Sequence, residues 1–149
     1  MKPLIMFLAM LLLFVSFLAF SSDMDNYVKL QAHLKALAEE CACGSSLFTE
    51  EAEYAEGRVV IDESAAESYI GFMLRQAERS MPQFSGASLS AEFTFYDDVK
   101  GYDGALDYGL AVGRPGAVVT ITYTGKDLFR LPFFTLKTLE RTAAYQWEE

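Results

Sequence analysis

The sequence has 149 residues, with 12 Lys and Arg against 21 Asp and Glu for a formal net charge of −9, and 52% of its side chains are hydrophobic. That apolar content excludes a disordered chain, and the length fits one domain or one domain plus an appendage. The acidic balance excludes a general nucleic-acid binder, which needs a basic face.

The apolar residues gather first at the N-terminus. Residues 1–20 carry one charged side chain, Lys2, and within residues 4–20 Ser16 is the only polar side chain. A helix of ~20 residues crosses the ~30 Å hydrocarbon core of a bilayer, so residues 1–20 are expected to form a transmembrane signal-anchor helix. Lys2 precedes the run, and Asp23 and Asp25 follow it. The positive-inside tendency then places residues 21–149 outside the cytoplasm, as an extracytoplasmic head on a single-pass membrane stem. The alternative is a cleaved signal peptide, for which Ala19-Phe20-Ser21 is a tolerable site, although the run exceeds the usual apolar length of ~7–15 residues. No lipid-anchor site is expected, because Cys41 lies too far from the N-terminus.

Beyond the stem, Met24, Tyr27, Leu30, Leu34, Leu37 and Cys41 recur at spacings of three and four, which predicts an amphipathic helix over residues 23–43. No Pro or Gly interrupts residues 4–42, so the stem and this stripe read as one rod, ended by Gly44-Ser45-Ser46. Residues 49–56, with Glu50, Glu51, Glu53 and Glu56, are expected as a short helix or exposed loop, and residues 58–61 as a short strand. Asp62 is a good N-cap for a second helix to about Ser80, stopped by Pro82. From Ala87 the period changes to two: Leu89, Ala91, Phe93 and Phe95 alternate with polar neighbours, as in a half-buried strand. Residues 97–116 are turn-rich, residues 117–124 are the strongest strand, and residues 135–146 are a last strand. The predicted fold is α+β: a long N-terminal helix, a second helix and a small antiparallel sheet packed on the helices.

Motifs for chemistry are sparse. The one histidine, His33, reads as a solvated helix residue and excludes a multi-histidine metal site. Cys41-Ala42-Cys43 lacks the C-x-x-C spacing of redox and zinc motifs. On a helix the two side chains point ~200° apart, leaving Cys41 in the apolar stripe and Cys43 near the helix end, with an intermolecular disulfide between neighbouring copies as the functional alternative. Asp97, Asp98, Asp103 and Asp107 do not follow the EF-hand pattern and read as a solvated acidic loop, with calcium binding there the lesser alternative. The glycines at 109, 113 and 116 have no Lys-Ser/Thr after them and no parallel strand before them, so they mark turns and not a phosphate cradle. No metal, no cofactor and no enzymatic activity is expected.

The layout resembles a type IV pilin or pseudopilin, and most closely the TadE-like minor pilins of tight-adherence (Tad) systems. The resemblance is carried by Asp25-Asn26-Tyr27-Val28-Lys29-Leu30 after the membrane run, by the helix end Ala38-Glu39-Glu40-Cys41-Ala42-Cys43-Gly44, and by the late strand Val118-Val119-Thr120-Ile121-Thr122-Tyr123. A link, Phe129-Arg130-Leu131-Pro132-Phe133-Phe134, then leads to Arg141-Thr142-Ala143-Ala144-Tyr145. The resemblance implies a non-catalytic structural component of a surface filament or secretion assembly, with the membrane, other pilin-like subunits and assembly-platform proteins as partners. It departs from the family pattern in one respect: no Gly and no acidic residue precedes Asp23, where such pilins carry a cleavage-site Gly or Ala and then a Glu. That points to an unprocessed, membrane-held relative that primes assembly. In pilin-like architectures the head covers only part of the rod, which assigns Leu4, Leu11, Phe14, Phe17, Met24 and Tyr27 to an assembly interface, and Leu34, Leu37 and Cys41 to the head's own core. The second functional class is an anchored or secreted extracytoplasmic binding module that recognises a ligand or an envelope partner.

Overall fold

The computed structural model describes residues 2–130 and 135–147. One helix, α1 (Lys2–Ser45), runs unbroken for 44 residues, about 66 Å at 1.5 Å per residue. Its upper half belongs to the head. Leu30, Leu34, Leu37, Ala38, Cys41 and Ala42 are all buried, the helical spacing placing them on one face, and the alanines let neighbouring backbone approach closely. The chain then turns through α2 (Glu51–Ala55) and descends along α1 as α3 (Glu63–Ser80).

Asp62 caps α3 as expected, its carboxylate accepting from the Ala65 N–H at 3.1 Å, and Ala66, Ile70 and Ala77 are buried. The return is close at the top of α1. Phe48 meets Tyr69 at 5.5 Å between ring centroids, and Gly44 leaves room for Tyr69, whose ring lies 2.3 Å from where a Cβ would stand.

Three antiparallel strands follow, β1 (Ser88–Tyr96), β2 (Gly116–Thr124) and β3 (Thr138–Gln146), in the order β1-β2-β3. The register sets Leu89 opposite Tyr123 and Phe95 opposite Ala117, and Val119 opposite Ala143. With a strand period of two, these residues share one face, and they join the α1 and α3 residues in a single core. α1 packs on β2, β3 and α3, and α3 also packs on β1. The result is a two-layer α+β head with its central strand the most buried.

Residues 58–61 differ from the sequence expectation. Only Ile61 forms a bridge, to Thr49, because side chains occupy the amides a neighbouring strand would need. The Asp98 carboxylate accepts from the Val59 N–H at 2.9 Å, and Asp97 accepts from the Ile61 N–H at 3.2 Å. The segment is extended without being a sheet strand. Asp97 is also a correction to the solvated acidic loop: it is 1% exposed, and it accepts from the N–H groups of Val99 and Lys100 at 3.0 and 2.8 Å.

Candidate functional site

The lower half of α1 projects from the head. Thirteen large apolar side chains between Leu4 and Leu18 are exposed, among them Leu4, Leu11, Phe14 and Phe17. Its most apolar 18-residue window has a mean hydropathy of 2.7 and none of it is buried. Burying one such side chain stabilises by ~1.5–3 kcal/mol, so thirteen left in water forgo roughly 20–40 kcal/mol. That exceeds the ~5–15 kcal/mol stability of a typical domain. This half of the helix therefore requires lipid or protein around it. It is long and apolar enough to cross a membrane, a property it shares with signal sequences.

The junction between bare and covered helix is built by a loop remote in sequence. Phe129 stacks on Phe20 at 6.1 Å between centroids and meets Tyr27 at 5.9 Å. Between them Asp23, 2% exposed, accepts from the Arg130 N–H at 2.9 Å, and the Arg130 guanidinium lies 3.4 Å from the same carboxylate. The loop's own turn is held by Asp127, which accepts from the N–H groups of Leu136 and Phe129 at 3.0 and 3.2 Å. These two bonds, that of Leu136 first, hold its carboxyl below the usual carboxylate range. The head thus grips α1 at the end of the apolar run.

This grip revises the residue assignments. Met24 and Val28 are exposed, as an association surface requires, but Tyr27 is half-buried against the core and contacts Phe129, so its own head occupies part of that position. Leu34, Leu37 and Cys41 are in the core. Cys41 is fully buried, and burial, with the Glu40 charge a lesser cause, pushes its thiol up to about 12. A sulfur with no exposed surface is out of reach of another chain, so an intermolecular disulfide through Cys41 is withdrawn, while Cys43 is half-buried. Both cysteines are free thiols. Leu131 to Phe134 of the expected link lie outside the described residues.

Sequence reasoning missed the Asp23–Arg130 contact, which spans 107 positions. The available signal was its position: Asp23 stands four residues before Tyr27, on the stripe that continues through Leu30 and Leu34. Elsewhere, among the described residues, no group of three or more His, Cys, Asp or Glu side chains is arranged to hold a metal ion. A cavity between α3's first turn and β1's end, about 370 Å³, is lined by Glu50, Asp62, Glu63 and Asp97. Lys100 pairs with Glu63 there, and backbone N–H groups occupy both oxygens of Asp97. No protein-family model, curated protein or solved structure matches the chain.

Proposed function

We propose that the chain is a membrane-anchored, pilin-like structural subunit, non-catalytic, which packs through the bare half of α1 against other subunits of a surface filament or secretion assembly. The observation that supports this reading most is the continuity of α1. One helix carries a fully exposed apolar half and a half buried in the head, so association of the stem is transmitted rigidly to the head. A flexible tether would only localise a binding domain. The grip at Phe20, Asp23 and Tyr27 adds to the argument, because it suppresses a hinge at the membrane surface. In this reading the N-terminus is cytoplasmic, the head is extracytoplasmic, and the partners are the membrane, pilin-like subunits and an assembly platform.

The test is complementation. In the source cells, deletion of the chain should abolish the surface filament and the native chain should restore it. A Leu11→Ala/Phe14→Ala/Phe17→Ala variant, still apolar enough to span, should reach the membrane at the native level without restoring filaments. Normal filaments in the deletion strain would contradict the proposal and favour the anchored binding module.

A further inference from the structure

The charge of the head is separated along its length. Membrane-distal contacts gather the end of α1, α2, the start of α3 and the β1–β2 connection: Asp62 N–H donates to Phe48 O, Asp98 holds Val59, and the Trp147 indole N–H donates to Ser46 O. The segments forming this end, residues 46–68 and 97–116, carry eleven acidic and three basic side chains. The rest of the head, residues 21–45, 69–96 and 117–147, is balanced, with eight acidic and eight basic side chains. The latter include the C-terminal half of α3 and the β2–β3 turn, which lie toward the stem. There Leu128 and Gln83 share a cavity with Asn26, Lys29 and Leu30 of α1.

Each end also carries exposed apolar groups. On α3, Phe72 is 55% exposed and lines, with Arg75 and Arg79, a surface cavity of about 260 Å³. Among the described residues neither arginine forms an ion pair. At the distal end Leu47 and Tyr54 are exposed beside Glu50 and Glu51, and these two carboxylates are likewise unpaired among the described residues.

We infer that the acidic distal end of one copy docks on the Phe72–Arg75–Arg79 groove of a second copy of this chain. Charge complementarity selects the occupant. Two distal ends repel each other, so a symmetric contact through them is disfavoured, whereas the acidic end of one copy and the unpaired arginines of the groove on another attract. A head-to-tail contact between different patches does not close on itself and propagates into an open chain. The two patches are separated by the 12 to 16 residues of α3 between Glu63 and Arg75 or Arg79, about 18–24 Å along the helix. Copies held at equal depth in one bilayer cannot bring them together; copies displaced along α1 by about that length can. The contact thus belongs to a rising filament and not to a pair within the membrane, and in that respect it rests on the pilin-like reading.

The experiment uses the full chain in nonionic detergent micelles, with mass distribution followed by sedimentation between 50 and 500 mM NaCl. Native association should weaken by at least about tenfold over that range, because exposed charges are screened within a few ångströms at high salt. Arg75→Glu/Arg79→Glu and, separately, Glu50→Lys/Glu51→Lys should each lower association at 50 mM NaCl while keeping the native melting temperature. Mixing the two variants should restore it, since each then meets an oppositely charged end. Association insensitive to salt and to both reversals, or a mixture no more associated than its components, would overturn the head contact and leave the role of α1 standing. Loss of association in the Leu11→Ala/Phe14→Ala/Phe17→Ala variant alone would be that same result. A salt-dependent step surviving in that variant would support the head contact independently of the stem.

Discussion

Leu34 and Met24 lie ten residues apart on one helix and are expected to respond oppositely to truncation. Leu34 is fully buried and Leu37 nearly so; Leu34→Ala or Leu37→Ala should cost ~2–5 kcal/mol, the lost burial plus the cavity left behind. Met24→Ala and Val28→Ala remove exposed side chains and should leave the unfolding free energy within ~0.5 kcal/mol of native. Tyr27→Ala should fall between them, because the ring is partly covered by Phe129 and the core. Denaturant titration of the full chain in micelles separates the three classes. Equal costs for Leu34→Ala and Met24→Ala would contradict the division of α1 into a core half and a free half.

Ionisation at the residue scale has a defined direction at high pH. Cys41 in the folded chain is pushed up to about 12 from an ordinary 9.0, and burial raises the hydroxyls of Tyr69, Tyr96, Tyr102 and Tyr123 above their ordinary 10.0. The unfolded chain therefore releases these protons first. Their contribution to stability is complete below pH 9 and declines as pH rises toward 12. Melting temperature should be level through neutral pH and fall steadily above pH 9. A flat profile to pH 11 would contradict the buried thiol.

At the scale of elements, carboxylates satisfied by backbone N–H groups hold together segments that sheet pairing does not reach. Asp62→Ala should lower the melting temperature by uncapping α3. Asp62 is held below its ordinary 3.8 by the Ala65 N–H and then the Ser64 hydroxyl, and Asp98 by the Val59 N–H and then the Tyr102 hydroxyl. Their stabilisation is present above that pH and lost as pH falls through the lower folded values, so acid unfolding should shift to higher pH in Asp98→Ala. Because the oxygens of Asp97 and Asp98 already accept donors, adding calcium or a chelator should leave the melting temperature unchanged. A rise of several degrees with calcium would instead make residues 97–107 a binding site.

Most elements were legible because their periodicity is local: the 3–4 spacing from Leu30 to Cys41, the Asp62 cap, and the alternation from Leu89 to Phe95. Residues 58–61 differ because Val59, Val60 and Ile61 have the composition of a strand, while the N–H groups of Ile61 and Val59 are taken by aspartates 36 and 39 positions away. The grip of Arg130 on Asp23 was hidden for the same reason: pairing between remote polar groups leaves no period in the sequence.

For the whole molecule, what surrounds residues 4–18 decides the role of α1. Lipid alone or lipid with neighbouring subunits both satisfy thirteen bare apolar side chains, yet only the second makes α1 an assembly element. Between apolar helices in lipid, shape and packing decide association more than hydrophobicity does, so substitutions that keep hydropathy and change shape are the informative ones. The separation of charge in the head supplies a second, salt-sensitive contact whose reach along the axis matches only displaced copies.

The most direct measurement places a photoreactive side chain at Phe14 of the full chain in living source cells and identifies what it captures. Protein adducts are expected, with other copies of this chain or pilin-like subunits joined through their own N-terminal helices. Adducts confined to lipid at Phe14, and equally at Leu11, would contradict that expectation and reduce the long helix to a membrane tether.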